Sequence, residues 1–323
     1  MMTMIVKTNV KLNLGLSVLR KRADGFHDIE TLFVPCFDFG DTIEIITGDD
    51  YSRTSVALFA KYGGPDGRFD KLSDRQDRLV QGISEDGKLM ITIAREEGVD
   101  WNPLKDLCAK AYNNLAQDFD LPPVKIFLEK NAPVGAGLGG GSADAAFTLK
   151  VLNELCGLNL SDQRLSEYAA RLGSDCAFFV SNRPMIGSGR GEVLEPYDID
   201  LSKYEIKVLI PEGVAVSTAE AYKGIVPREN LKSERLDDSI STVQRRLSDQ
   251  TDSHCISHEH SDLKTVLAMP ITDWKDNLVN DFEVTVFKAH PELAAIKQSL
   301  YDSGAVYASM SGSGSALFAL YEK

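Results

Sequence analysis

Five glycines in the seven positions 135–141 follow directly on the strand-like run VKIFLEK (124–130) and precede a stretch with helical period. The order strand, glycines, helix constrains this chain more than any other feature. Glycine reaches positive φ without steric penalty and carries no Cβ to hold another group at a distance. Downstream, Ala145, Leu149, Leu152 and Cys156 fall close to one helical face, with Ser142 at the expected start and Gly157 at the expected left-handed close. Backbone N–H groups and the positive end of such a helix suit a polyphosphate. A hinge or a tight-packing turn is the alternative use of the same glycines.

The segment GAGLGG (135–140) fits GxGxxG, yet a dinucleotide fingerprint also needs an acidic residue at the end of the next strand, about 20 residues on. Asp162 stands instead at a helix start, so the dinucleotide reading fails there. No Lys follows the glycines as a Walker A loop requires, and neither HRD nor DFG occurs in the chain.

The 323 residues suggest two domains, and we expect the boundary near 198, giving 1–198 with the glycine loop and 199–323. With 43% hydrophobic and 26% charged residues, and no apolar run near the roughly 20 residues of a membrane span, a soluble protein is expected. The opening MMTMIVKTNVKLNLGL lacks the pattern of a secretory signal, which predicts a cytoplasmic location. Cys36, Cys108, Cys156, Cys176 and Cys255 are odd in number and lack CxxC spacing, so they read as thiols rather than a disulfide framework. A net charge of −13 opposes a broad footprint on nucleic acid or an anionic membrane, so an anionic substrate needs a locally basic site.

Strands are expected over MIVKTNVKLNLGLSVL and IETLFVPCFDFGDTIEIIT, joined by a turn at Asp24-Gly25. Leu104, Leu107, Cys108, Ala111 and Leu115 predict a helix over 102–116, and a second runs from an N-cap at Ser161 to Gly173. CAFFV (176–180) reads as a short buried strand, and a new strand-rich region begins at Tyr204. Pro291 and Gly304 bracket a helix, followed by two strands flanking SGSG. Residues 49–88 and 228–262 read as polar additions, the second with a helix around SISTVQRRL. His254, Cys255, His258 and His260 suggest a zinc set, but without the second ligand pair a solvated loop is the better reading.

The loop resembles the central motif of the GHMP family of small-molecule kinases. KLNLGLSVLRKRADGFHDIETLF (11–33) is similar to the N-terminal pattern of the branch acting on a cytidine-diphosphate-linked polyol. LGSDCAFFV (172–180), GRGEVLEP (189–196) and SMSGSGSALFAL (309–320) resemble later family segments, in family order. The sequence departs from the pattern at Phe26 for Tyr, at Ala143-Asp144 for Ser-Asn, and at Cys176-Ala177 for Val-Pro. The resemblance implies an α+β, two-domain kinase fold: an N-terminal ribosomal-protein-like β-α domain, a C-terminal α/β sandwich, and an active site in the cleft between them. It implies ATP-dependent phosphorylation of a hydroxyl on cytidine-diphosphate-linked methylerythritol in the non-mevalonate isoprenoid route.

Residue by residue, it implies Asp175 as catalytic base with Lys11 as its partner. On local grounds alone Asp175 is a turn or cap residue, and Lys11 a strand lysine with its head in water. Pro133, Val134, Gly135, Ala136, Gly137, Leu138, Gly139, Gly140, Gly141, Ser142 and Ala143 would hold ATP, with Ser142 reaching Mg2+. Phe26 would stack on the cytosine and His27 hydrogen-bond it, Tyr222 would supply a second aromatic, and Asn13 would orient the substrate. Asp144 would repel phosphate if it pointed inward, so it is expected to face away or to act through magnesium. A homoserine or mevalonate type of kinase is the alternative within the family, and a dinucleotide-binding oxidoreductase the alternative outside it.

Overall fold

A strand buried along most of its length must be covered on both faces, and LMITIAR and the IFL centre of VKIFLEK are buried in this way. The computed structural model describes residues 2–48, 78–229 and 262–323. Within them, β1 (Met2–Lys7), β4 (Thr42–Thr47), β5 (Leu79–Ile83), β6 (Leu89–Arg95) and β7 (Val124–Lys130) form one sheet in the order β1-β4-β7-β6-β5. All its neighbours are antiparallel except β6 and β7. The buried strands are central, while β1 at the edge is mostly exposed.

Helices α1 (Leu107–Ala116), α2 (Gly140–Leu155), α3 (Asp162–Leu172) and α4 (Cys176–Ser181) pack together, with α2 against β1 and β4. Asp106 sets the start of α1, its carboxylate accepting from Cys108 N–H at 2.8 Å. The helix expected over 102–116 is therefore a single 3₁₀ turn, Pro103–Lys105, followed by α1. Ser161 caps α3 as the sequence suggests. The strand expected at CAFFV is instead the helix α4, with Phe178 and Phe179 in edge contact at 5.0 Å. A run of apolar residues this short has no period to tell strand from helix, and α2 and α3 bury it on both sides.

A second sheet runs β2 (Val10–Lys21), β3 (His27–Cys36), β8 (Met185–Ser188), β9 (Val193–Pro196), and a third runs β10 (Tyr204–Leu209), β12 (Leu317–Glu322), β11 (Tyr307–Met310). With them come α5 (Thr218–Tyr222), α6 (Leu263–Leu267), α7 (Trp274–Asn277), α8 (Phe282–Ala289) and α9 (Pro291–Asp302). Leu16, Val18, Ile29, Phe282, Leu293, Met310 and Leu317 share one core. Pro291 opens α9, and Gly304 beyond its end has φ +97°.

Two compact units result. One comprises Met1–Lys11, Pro35–Val134 and Leu138–Arg183, the other Leu12–Val34, Gly135–Gly137 and Pro184–Lys323. Their segments alternate along the chain, because β2 and β3 complete a sheet with β8 and β9. The expected helix around SISTVQRRL and the His254, Cys255, His258, His260 set lie outside the described residues. No helix among the described residues is long and apolar enough to cross a membrane.

The turn between β11 and β12 depends on Asn280. Its buried amide donates to the carbonyls of Met310 at 2.7 Å and Gly312 at 2.8 Å, and its oxygen accepts from Phe282 N–H at 3.0 Å. Asn280→Ala removes three hydrogen bonds from backbone groups, and equilibrium urea unfolding should show a loss of about 3 kcal/mol. A loss below about 1 kcal/mol would mean the turn holds itself.

Candidate active site

Lys11 enters the site from β2, with its own N–H donating to the Leu138 carbonyl at 2.9 Å. Its ammonium lies 3.4 Å from Asp175 Oδ2, the lysine side chain 4% exposed and the aspartate 29%. Asp175 occupies the N-cap position of α4, yet its side chain caps nothing. The cap role suggested by its local sequence is absent, and the carboxylate instead faces a buried cation. Cys176-Ala177, in place of the family's Val-Pro, begins α4 with Cys176 N–H donating to Gly173 at 3.2 Å. Burial pushes the Cys176 thiol up to about 12, while the Ser142 hydroxyl beside it works the other way.

Over this pair lies the start of α2. The helix begins at Gly140, two residues before the expected Ser142, and its N-cap Gly139 has φ +73° with no side-chain cap. A Cβ on Gly139 would sit 3.2 Å from both Cγ and Cε of Lys11, so a larger residue would press on the lysine. With no capping side chain, the first-turn N–H groups remain available to an anion.

Not every glycine of the loop serves the same end. At Gly137, φ +78°, a Cβ would stand 2.2 Å from the Ser311 carbonyl oxygen, so this glycine exists for packing against the 311–314 turn. Ser311 Oγ donates to the Gly137 carbonyl at 3.2 Å, and Ala316 N–H to Ala136 at 3.1 Å. Tight packing thus accounts for Gly137, while a Cβ on Gly135 would meet nothing within 4 Å.

Asp144 faces away from the loop. It is buried, with Oδ2 2.6 Å from the Lys130 ammonium and Oδ1 accepting from the Thr8 hydroxyl at 3.3 Å. Burial pushes its carboxyl well above the ordinary range, Lys130 opposing and Asp41 reinforcing the effect. Burial also works against the Lys130 cation, but the Asp144 and Asp41 carboxylates prevail and hold its pKa above the ordinary value.

The residues expected at the nucleotide end lie in the other unit. His27 and Tyr222 are brought together, stacked at 4.6 Å between centroids and 15° between planes, with Phe282 edge-on to Tyr222 at 4.7 Å. Phe26 is 53% exposed and carries the Arg190 guanidinium 5.0 Å from its centroid. Arg190 is held by Glu192, which accepts from its backbone N–H at 2.6 Å. Asn13 is buried, its amide donating to Thr31 Oγ1 at 3.1 Å and its backbone N–H to Ser311 Oγ at 3.3 Å.

Arg190, Lys130, Asp41 and Asn280 were not singled out in the sequence. Arg190 had a signal, being the only side chain between two glycines in GRGE, whereas nothing local marks Asp41.

Residues 106–183 match the GHMP kinases N terminal domain, and residues 270–323 match the GHMP kinases C terminal. The chain is similar to 4-diphosphocytidyl-2-C-methyl-D-erythritol kinase of Parabacteroides distasonis, 37% identical over 320 residues, covering 99% of this chain and 92% of the relative. The Bacteroides fragilis protein of the same name is 38% identical over 318 residues, covering 98% and 92%. Among solved structures, a 4-(cytidine 5'-diphospho)-2C-methyl-D-erythritol kinase shares the fold with a TM-score of 0.64, 24% identity and coverage of 98% and 90%. Mevalonate kinase from Methanococcus jannaschii shares it with a TM-score of 0.54, 13% identity and coverage of 99% and 91%.

Desolvation first, and then the charge of Lys21, lower the His27 pKa below its ordinary 6.5, so the imidazole is neutral at pH 7. An NMR titration of its ring protons should give a midpoint below 6.5. A midpoint at or above that value would show that neither burial nor Lys21 governs the ring.

Proposed function

Because this chain belongs to the family of 4-diphosphocytidyl-2-C-methyl-D-erythritol kinases, we propose that it transfers the γ-phosphoryl group of ATP to the 2-hydroxyl of 4-diphosphocytidyl-2-C-methyl-D-erythritol, a step of the non-mevalonate isoprenoid route. The observation that carries the site assignment is the pair Lys11 and Asp175, 3.4 Å apart beneath the uncapped glycine start of a helix. Phosphoryl transfer asks a protein chiefly for positioning and charge neutralisation.

Asp175 accepts the proton of the acceptor hydroxyl as its oxygen bonds to the γ-phosphorus. The bond from that phosphorus to the β,γ-bridging oxygen breaks, and ADP leaves. Lys11 keeps the carboxylate in place and offsets charge on the transferring oxygens. The triphosphate lies along Gly135 to Ser142, bound by backbone N–H groups, with Pro133, Val134, Leu138 and Ala143 framing the turn.

Magnesium fits the donors at hand. Asp144 is turned inward to Lys130, which leaves the partly exposed Ser142 hydroxyl as a hard oxygen donor in the first turn of α2. A cation kept mostly by water and phosphate oxygens needs no more from the protein. When bound, it neutralises phosphate charge. At the acceptor's other end, Phe26, His27 and Tyr222 recognise the cytosine, and Asn13 acts through Ser311 and Thr31.

Phosphate transfer from γ-labelled ATP to a panel of cytidine-diphosphate-linked and free polyols tests the substrate. The conjugate should be phosphorylated and free methylerythritol hardly at all, because binding energy at the cytidine positions the distant hydroxyl. Equal rates on both would end the case for cytidine recognition.

Three variants test the chemistry. Asp175→Asn should keep both substrates bound and lower kcat by about 10² or more. Lys11→Met should lose a similar amount, and the double variant little beyond the worse single one. Multiplicative losses would show that the two act independently. Gly139→Val should weaken ATP binding in a folded protein, and unchanged affinity by calorimetry would remove the loop from the phosphate site.

A further inference from the structure

Asp41, Lys130 and Asp144 are 0%, 7% and 1% exposed, and none of them belongs to the chemistry just described. Each comes from a different segment: Asp41 from the turn before β4, Lys130 from the last position of β7, Asp144 from the start of the second turn of α2. The Lys130 ammonium contacts Asp41 Oδ2 and lies 2.6 Å from Asp144 Oδ2. Asp41 Oδ1 accepts from the N–H groups of Asn131 at 2.6 Å and Ala132 at 2.7 Å, the first two residues beyond β7. Thr8 joins the carboxylates, its hydroxyl donating to Asp144 Oδ1 at 3.3 Å and accepting from Asp41 N–H at 2.9 Å.

We propose that this buried trio is a positioning clamp that fixes both ends of the glycine-rich loop and thereby sets its affinity for ATP. The inference rests on the loop being the triphosphate site. On the incoming side the clamp holds residues 130–132, and on the outgoing side Asp144, one turn into α2, whose start no side chain caps. Gly140 packs directly on it, a Cβ there falling 3.8 Å from Asp41 Oδ2.

Stability alone does not call for such a group. Burying ions costs several kcal/mol each, and apolar residues of similar volume are often as stable. What charged hydrogen bonds add is direction, and an anion site made of backbone N–H groups works only when its backbone is held before the ligand arrives.

The test measures dissociation constants for a non-hydrolysable ATP analogue with magnesium, and for the acceptor, by calorimetry on the full chain, with thermal unfolding alongside. Asp144→Asn keeps an oxygen for Lys130 and should stay within about 3-fold of the parent for the nucleotide, whereas Asp144→Leu should weaken it on the order of 10-fold or more. The double variant Lys130→Met with Asp144→Leu removes one cation and one anion together, and should be near parental in stability while still binding nucleotide about 10-fold more weakly. Thr8→Val, nearly isosteric, serves should those variants fail to fold, with a nucleotide loss of about 3-fold expected from one hydrogen bond. Acceptor affinity should be unchanged throughout.

Parental nucleotide affinity in a stable double variant or in Thr8→Val overturns the clamp, as does a loss in Asp144→Asn equal to that in Asp144→Leu. Gly139→Val separates the two levels of inference. If it binds nucleotide normally, the phosphate reading fails. If it binds weakly while the trio variants do not, the clamp fails by itself.

Discussion

One ammonium buried between two carboxylates is the constraint around which the loop is arranged. Lys130 ends a central strand, and a strand ending in a buried cation must deliver that cation to an acceptor. Asp41 and Asp144 meet it from two directions, and Asp41 also takes the next two backbone N–H groups. The chain therefore leaves the sheet along a determined path before the first glycine is reached. Seen this way, the glycines do not make the loop loose; they allow a backbone whose ends are already fixed to take a shape that other residues could not follow.

The cations of the site are embedded in an acidic protein of net charge −13. Lys11 and Lys130 are both buried, and each is faced by carboxylate at close range. Their partners differ in a way that suits different tasks. Asp175 remains partly exposed and its side chain caps nothing. Asp144 is shut away against Lys130. Position relative to the helix start, rather than residue type, separates a partly exposed aspartate from one enclosed with a lysine.

Arg190 shows how a departure from the family pattern is accommodated. Phe26 lacks the hydroxyl that a tyrosine would supply there, and a guanidinium lies over its ring, steadied by Glu192. His27, paired with Tyr222, is kept neutral by desolvation and so keeps one ring nitrogen as acceptor.

Local order was legible in the sequence wherever its cause was local. The glycine run after VKIFLEK, the Ser161 cap, the Pro291 start and the Gly304 stop each follow from the conformational preferences of the residues concerned, so strand, loop and helices could be read directly. Motif resemblance added Lys11 and Asp175, which no periodicity would have joined. Tertiary structure alone decided the rest. CAFFV became a helix because neighbouring helices enclose it, and a short apolar run carries no period of its own. The chain divided into interleaved units because β3, with β2 on its other side, found its hydrogen-bonding partner in β8. Asp41 met Lys130 across 89 positions of sequence, and a charge pair of that kind leaves no local trace, since its energy depends on distance in space and on exclusion of water, neither of which a sequence records.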